Sequence, residues 1–63
     1  MNKKFLRLIS VREMTGLSRS SIYLMMRSGA FPKNFLLGER SVGWLEDDIV
    51  AWIESRVSST RLN

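Results

Sequence analysis

The side chains best suited to chemistry in this chain lie within nine consecutive residues, and their types suit contacts with a nucleic acid. Arginine can donate two hydrogen bonds to guanine, serine can bond bases or phosphates, and an exposed apolar side chain can cover a thymine methyl group. Residues spaced three and four apart share one face of a helix. The residues on this proposed reading face are Arg19, Ser20, Tyr23, Leu24 and Arg27, with Ser21 beside them.

Enzymatic and metal chemistry are not expected. The chain contains no Cys and no His, which excludes thiolate and imidazole zinc sites, Cys–His and Ser–His nucleophiles, and imidazole acid–base catalysis. We interpret Glu46, Asp47 and Asp48 as acids that complement a helix dipole, not as catalytic or metal-binding carboxylates. Trp44 and Trp52 are interpreted as core residues, not as base-stacking platforms. We therefore predict no catalytic residues, no cofactor and no metal.

A first short helix is expected before the reading face. Ser10 and Glu13 have the spacing of a capping box, and Ile9 and Met14 have the spacing of a hydrophobic staple. Together these signals predict a helix that begins one residue after Ser10. Gly16 suits the left-handed position at which such a helix ends.

A second helix is expected to carry the reading face. Ser18 is a good N-cap, and Leu17 and Ile22 are spaced as another hydrophobic staple. The helix is predicted to cover residues 19–28 and to end at Gly29. Two helices joined by a short glycine-containing turn indicate a helix-turn-helix.

A hairpin is predicted next, because two β-prone runs at residues 34–37 and 42–45 flank a polar loop. Arg40 and Ser41 lie near its tip, where a basic side chain can reach phosphate or a minor groove. Lys33 precedes the hairpin and is predicted to be a phosphate neighbour. The alternative for Arg40 is a solvated turn residue paired with the preceding glutamate.

A third helix is expected from residue 46, and one apolar stripe follows its length. The stripe consists of Leu45, Ile49, Trp52, Ile53 and Val57. The resulting order of helix, helix, hairpin and helix predicts a mainly α fold with a small β-hairpin, which is a winged helix-turn-helix. We expect one domain over residues 1–63, with an ordered core of about 6–57 and frayed residues 58–63. Met14, Met25 and Met26 are expected to fill the core.

The basic charge lies in the same part of the chain as the helix-turn-helix. Residues 1–44 contain eight basic and two acidic residues, net +6, whereas residues 45–63 contain two basic and four acidic residues, net −2. This asymmetry is typical of a face that binds a polyanion. Lys3, Lys4 and Arg7 fit either an arm along a nucleic-acid backbone or a disordered tail, and residues 5–9 fit a brief strand or an extended arm.

The chain is expected in the cytoplasm, without membrane association. No apolar run approaches the roughly 20 residues that cross a bilayer. Arg7 interrupts the only stretch that a signal peptide could use as its apolar core.

Several stretches together resemble a known family. They are LSRSSIY at 17–23, GAFPK at 29–33, VGWL at 42–45, DI at 48–49 and AWI at 51–53. Over about residues 6–56 the chain resembles the AlpA family of prophage regulatory proteins, which is related to MerR-type winged helices and resembles phage excisionases. The resemblance implies a DNA-binding regulator of prophage or integrative-element genes. For some relatives it implies a recombination directionality factor that bends DNA beside an integrase.

Two residues depart from the pattern that the resemblance implies. Arg12 stands where helix-turn-helix proteins usually have a small residue, which predicts a looser turn. Leu24 stands where a basic or polar residue is expected, which predicts a different contacted sequence.

The sequence thus predicts a regulator that binds double-stranded DNA specifically, with an excisionase-type role as a further hypothesis. It is expected to be monomeric in solution and to line up on repeated DNA sites. The alternative is a protein-interaction module that binds a regulator or a phage integrase through the acidic third helix.

Overall fold

Three helices and a small antiparallel sheet form the part of the chain that the computed structural model describes, residues 3–60. The elements are, in chain order, β1 (Phe5–Leu6), α1 (Leu8–Thr15), α2 (Arg19–Ser28), β2 (Phe35–Leu36), β3 (Val42–Leu45) and α3 (Glu46–Thr60). This order confirms the predicted mainly α, winged helix-turn-helix fold. Within the described residues, the helices are too short or too polar to span a membrane.

The sheet has three strands in the order β1-β3-β2, so the predicted hairpin is confirmed and β1 is added at its other edge. Phe5 lies opposite Leu45, and Phe35 lies opposite Gly43, both in antiparallel pairs. Glycine suits position 43, because a Cβ there would lie 2.7 Å from Leu37 Cδ1 and 3.0 Å from the backbone oxygen of Leu6, so that these neighbours would have to shift. The sheet therefore joins the beginning of the chain to the hairpin that follows α2.

The core lies between the helices and one face of the sheet. Its buried residues are Leu6, Val11, Ile22, Phe31, Trp44 and Ile49. Trp44 is fully buried, and its indole N–H donates to the backbone oxygen of Pro32 at 3.1 Å. Trp52 is half-buried, packs against this core, and donates to the backbone oxygen of Ala30 at 2.8 Å. The interpretation of both indoles as core residues is confirmed, and their hydrogen bonds fix the loop after α2.

The predicted start of the first helix is wrong by one turn. Helix α1 begins at Leu8, with Arg7 as an N-cap that forms no side-chain capping bond. Ser10 therefore lies inside the helix, and the capping box with Glu13 does not form. Because β1 ends one residue before Arg7, the chain turns at once into α1, and this earlier start lets Leu8 and Val11 pack into the core.

Three apolar side chains expected to pack are exposed instead. Ile9 is 67% exposed and Met14 is 39% exposed, so the staple is not formed and Met14 does not fill the core. Val57 is 49% exposed, because the apolar stripe of α3 contacts the core only as far as Ile53. Helix α3 continues to Thr60, so residues 58–60 are helical, whereas residues 61–63 lie outside the described part.

The N-terminal residues from Lys3 onward are fastened to the start of α3. Lys3 Nζ lies 3.2 Å from a carboxylate oxygen of Asp47, and the Glu46 backbone N–H donates to the Lys4 backbone oxygen at 2.8 Å. The disordered-tail interpretation is therefore wrong for these residues. The three acids do lie in the first turn of α3, as predicted.

Candidate nucleic-acid interface

The turn between α1 and α2 orients the proposed reading face. Gly16 ends α1 with φ 76°, and its N–H donates to the backbone oxygen of Arg12 at 2.8 Å. Leu17 packs against the core, and the Ser18 hydroxyl accepts from the Ser21 backbone N–H at 3.1 Å. The predicted glycine turn and serine cap are both confirmed. Three residues separate the helices, the ordinary length, and exposed Arg12 does not lengthen the turn.

Helix α2 divides into a packed face and an exposed face. Ile22 is completely buried, and Met25 and Met26 are half-buried against the core. These contacts hold the helix in one rotational position. Among the predicted contacts that lie on α2, the exposed side chains are Arg19, Ser20, Leu24 and Arg27.

Tyr23 and Ser21 have supporting positions that the sequence prediction did not assign to them. Tyr23 is half-buried, and its ring meets the Trp44 ring edge-on with centroids 6.1 Å apart. The Arg19 guanidinium lies 5.1 Å from the centroid of the Tyr23 ring, a cation–π arrangement. The Ser21 hydroxyl accepts from the Ser18 hydroxyl at 3.0 Å. The four-residue spacing of Arg19 and Tyr23 was the signal that could have predicted this contact.

The hairpin tip, the wing, spans residues 37–41. The Leu37 backbone N–H donates to the Ser41 backbone oxygen at 2.7 Å and closes the loop. Arg40 is exposed at this tip, whereas Ser41 is half-buried. The wing therefore presents one basic side chain on a closed loop.

The arginines of α2 and of the wing form no salt bridge with an acid of residues 3–60. Within residues 3–60 one salt bridge is present, and it joins Lys3 to Asp47. Arg40 forms no salt bridge with Glu39, the residue before it, and both side chains are exposed, as in a solvated turn. Helix α2 contains no acidic residue, so the charges of Arg19 and Arg27 are not neutralised within their own element.

Lys33 lies in the loop after α2, and its side chain reaches back to the end of the helix. Its ammonium group donates to the backbone oxygen of Met26 at 3.4 Å, and the side chain is exposed. Gly29 ends the helix with φ 85° and donates to the same oxygen at 3.2 Å. The C-terminal end of α2 thus has two cations close by, Lys33 and Arg27 in its last turn, which the helix dipole favours.

A helix-turn-helix with an unneutralised basic helix face, followed by a wing with an exposed arginine, defines a small winged-helix regulator. The family model described as "Prophage CP4-57 regulatory protein (AlpA)" matches residues 4–57 of the chain. The chain therefore belongs to the AlpA family of prophage regulatory proteins, as the motifs of the sequence indicated. This is a family of regulators, not of enzymes.

Two relatives agree with this assignment. The chain is 39% identical to "Uncharacterized protein ORF88" of Enterobacteria phage P4, over 94% of this chain and 67% of that protein. It is 37% identical to "DNA-binding transcriptional activator AlpA" of Escherichia coli strain K12, over 84% of each.

Proposed function

We propose that this chain binds double-stranded DNA in a sequence-specific manner and regulates transcription of a prophage or integrative element. The observation that carries the proposal is the exposed face of α2, which has two arginines, no acid and no salt bridge within the described residues. An α-helix fits the major groove of B-form DNA. The printed name of the Escherichia coli relative, a DNA-binding activator, supports the same function.

The proposed DNA contacts differ in their exposure and in the element that carries them. Arg19, Ser20, Leu24 and Arg27 are exposed on α2 and are proposed to reach base edges or phosphates. Helix α2 also places two half-buried side chains, those of Ser21 and Tyr23, at the edge of this face. The remaining proposed contacts are Ser21, Tyr23, Lys33, Arg40 and Ser41.

The wing is proposed to contact the groove or phosphates beside the one that α2 enters. Arg40 is exposed at a closed tip, and a narrow minor groove concentrates the negative potential that attracts arginine. Lys33, at the end of α2, is proposed to lie against a phosphate.

The salt dependence of binding tests this proposal. With about four to six phosphates neutralised, the logarithm of the association constant is expected to fall with the logarithm of salt concentration with a slope of roughly −4 to −5. Arg19→Ala and Arg27→Ala are expected to weaken binding and to reduce the slope by about 1 each. Arg56→Ala is the matched control, because it removes the same charge from α3, where Arg56 lies over the Trp52 ring. A slope near zero contradicts DNA binding.

An excisionase-type role is the finer proposal, and the resemblance of the family to phage excisionases supports it. Footprinting on the element's attachment site and on its promoter separates the two roles. Protection at the attachment site, with stimulation of integrase-dependent excision, supports the directionality factor. Protection at the promoter alone supports a purely transcriptional role.

A protein-interaction module is the second candidate, and an exposed aromatic pair favours it. Phe5 and Phe35 are 44% and 45% exposed, and their rings meet edge-on 5.5 Å apart on the sheet. The triple charge reversal of Glu46, Asp47 and Asp48 separates the candidates. Loss of binding to an integrase or regulator with unchanged DNA affinity supports this second function, and unchanged binding to both opposes it.

A further inference from the structure

The centre of α2 carries an apolar side chain that the fold does not use. Leu24 is 62% exposed, whereas Ile22, two residues earlier, is completely buried. Successive residues of an α-helix are about 100° apart, so Leu24 lies about 200° around the axis from Ile22. Leu24 therefore points almost directly away from the core and lies on the outermost line of the helix.

The neighbours of Leu24 on this outermost line are polar. Ser20 precedes it by four residues and Arg27 follows it by three, the spacings at which helical side chains are adjacent. The side chains of α2 that pack on the core are on the other side of the helix: Ile22, Tyr23, Met25 and Met26. Leu24 is thus a single apolar group between a serine and an arginine that are proposed to contact DNA.

We infer that Leu24 is a specificity-determining residue that contacts the C5 methyl group of a thymine in the major groove. This inference rests on the proposed DNA-binding function. Among the unmodified bases, only thymine presents a methyl group in that groove, whereas guanine presents two acceptors there. The leucine side chain cannot donate a hydrogen bond to either acceptor of guanine. A guanine beside Leu24 would therefore lose hydrogen bonds to water without replacing them.

The size of the effect follows from the area of one methyl group. Burying about one methylene or methyl equivalent is worth roughly fourfold in affinity, which corresponds to about 0.8 kcal/mol. This gain in affinity is smaller than that from a bidentate arginine contact to guanine. Leu24 therefore discriminates among DNA sites to which the basic residues already bind.

The test begins with selection of bound sequences from a duplex library with about 20 random base pairs, using the full chain. Each thymine of the enriched duplex is then replaced by uracil, which keeps the pairing and removes only the methyl group. The dissociation constant of the wild type is expected to rise about fourfold at one or two positions. For Leu24→Ala, uracil at those positions is expected to change nothing.

Ile9→Ala is the matched control, because Ile9 is 67% exposed on α1 and its truncation removes a similar apolar group. This variant should keep the wild-type response to uracil, and Leu24→Ala should keep the wild-type circular dichroism spectrum. The inference is overturned if uracil leaves the dissociation constant of the wild type unchanged at every position. It is also overturned if uracil raises the dissociation constant of Leu24→Ala as much as that of the wild type. Failure of the proposed function is a separate result: no sequence is enriched and no duplex is bound.

Discussion

Replacement of Tyr23 by leucine is expected to weaken the fold and, through Arg19, the binding of DNA. The Tyr23 ring contacts Trp44 edge-on and lies under the Arg19 guanidinium, at centroid distances of 6.1 and 5.1 Å. An edge-to-face aromatic pair contributes about 0.5–1.5 kcal/mol, and a cation–π contact at an exposed site about 0.5–1 kcal/mol. The free energy of unfolding is therefore expected to fall by about 1–2.5 kcal/mol, which lowers Tm by roughly 4–20 °C in a domain of this size.

Two assays are combined. Urea denaturation, monitored by tryptophan fluorescence, measures stability, and titration of the folded protein with DNA measures binding. Arg19 is expected to lose its fixed position in Tyr23→Leu, which weakens DNA binding about two- to fivefold if the full cation–π contribution is realised. A double-mutant cycle with Arg19→Ala isolates this coupling, because only a Tyr23 that acts through Arg19 has no effect once Arg19 is absent.

Tyr23→Phe is the control that separates the ring from its hydroxyl group. The ring is retained, so stability and the contact with Arg19 are expected to stay close to those of the wild type. Weaker DNA binding by Tyr23→Phe, at unchanged stability, would show that the hydroxyl group itself contacts DNA. Additive effects of Tyr23→Leu and Arg19→Ala on the dissociation constant would refute the positioning role.

Four further substitutions test the fold by urea denaturation. Ser18→Ala removes the α2 cap and should lower the free energy of unfolding by about 1 kcal/mol. Ser10→Ala, inside α1, should cost less than about 0.5 kcal/mol, as surface substitutions usually do, or should stabilise slightly. Equal losses in the two variants would show that Ser10 does cap a helix. Gly43→Ala should cost about 1–3 kcal/mol, because its methyl group would lie 3.0 Å from a backbone oxygen of β1, and an unchanged midpoint would contradict this packing. Trp52→Phe should cost about 1 kcal/mol through the lost bond to Ala30, and a neutral result would show that this bond does not fasten the loop.

The helix-turn-helix was predictable because its signals are local. Gly16 and Gly29 adopt the left-handed conformation that ends a helix, and Ser18 caps the next one. Such features depend on a few consecutive residues, so the sequence predicts them well. The capping box at Ser10 failed for the opposite reason, since the position of β1 and burial of Val11 determine where α1 begins.

The non-local features could not be predicted in the same way. The ion pair between Lys3 and Asp47 joins residues 44 apart in sequence, and strand β1 exists only because β3 is beside it. The exposure of Val57 depends on how far α3 extends beyond the core. The periodicity of the apolar stripe does not indicate this length. For the site, the residue types predicted the exposed arginines, and the four-residue spacing of Arg19 and Tyr23 was a local signal for their contact. The edge-on packing of Tyr23 against Trp44 joins residues far apart in sequence and had no such signal.

We propose that α2 and the wing together form the surface that binds DNA. Nuclear magnetic resonance titration of the labelled chain with its selected duplex tests this claim most directly. Chemical-shift changes are expected to concentrate on the exposed residues of α2, on Lys33 and on residues 38–41, whereas the first turn of α3 is expected to change little. Changes concentrated on the acidic turn of α3 or on the aromatic pair of the sheet, with α2 unaffected, would contradict it.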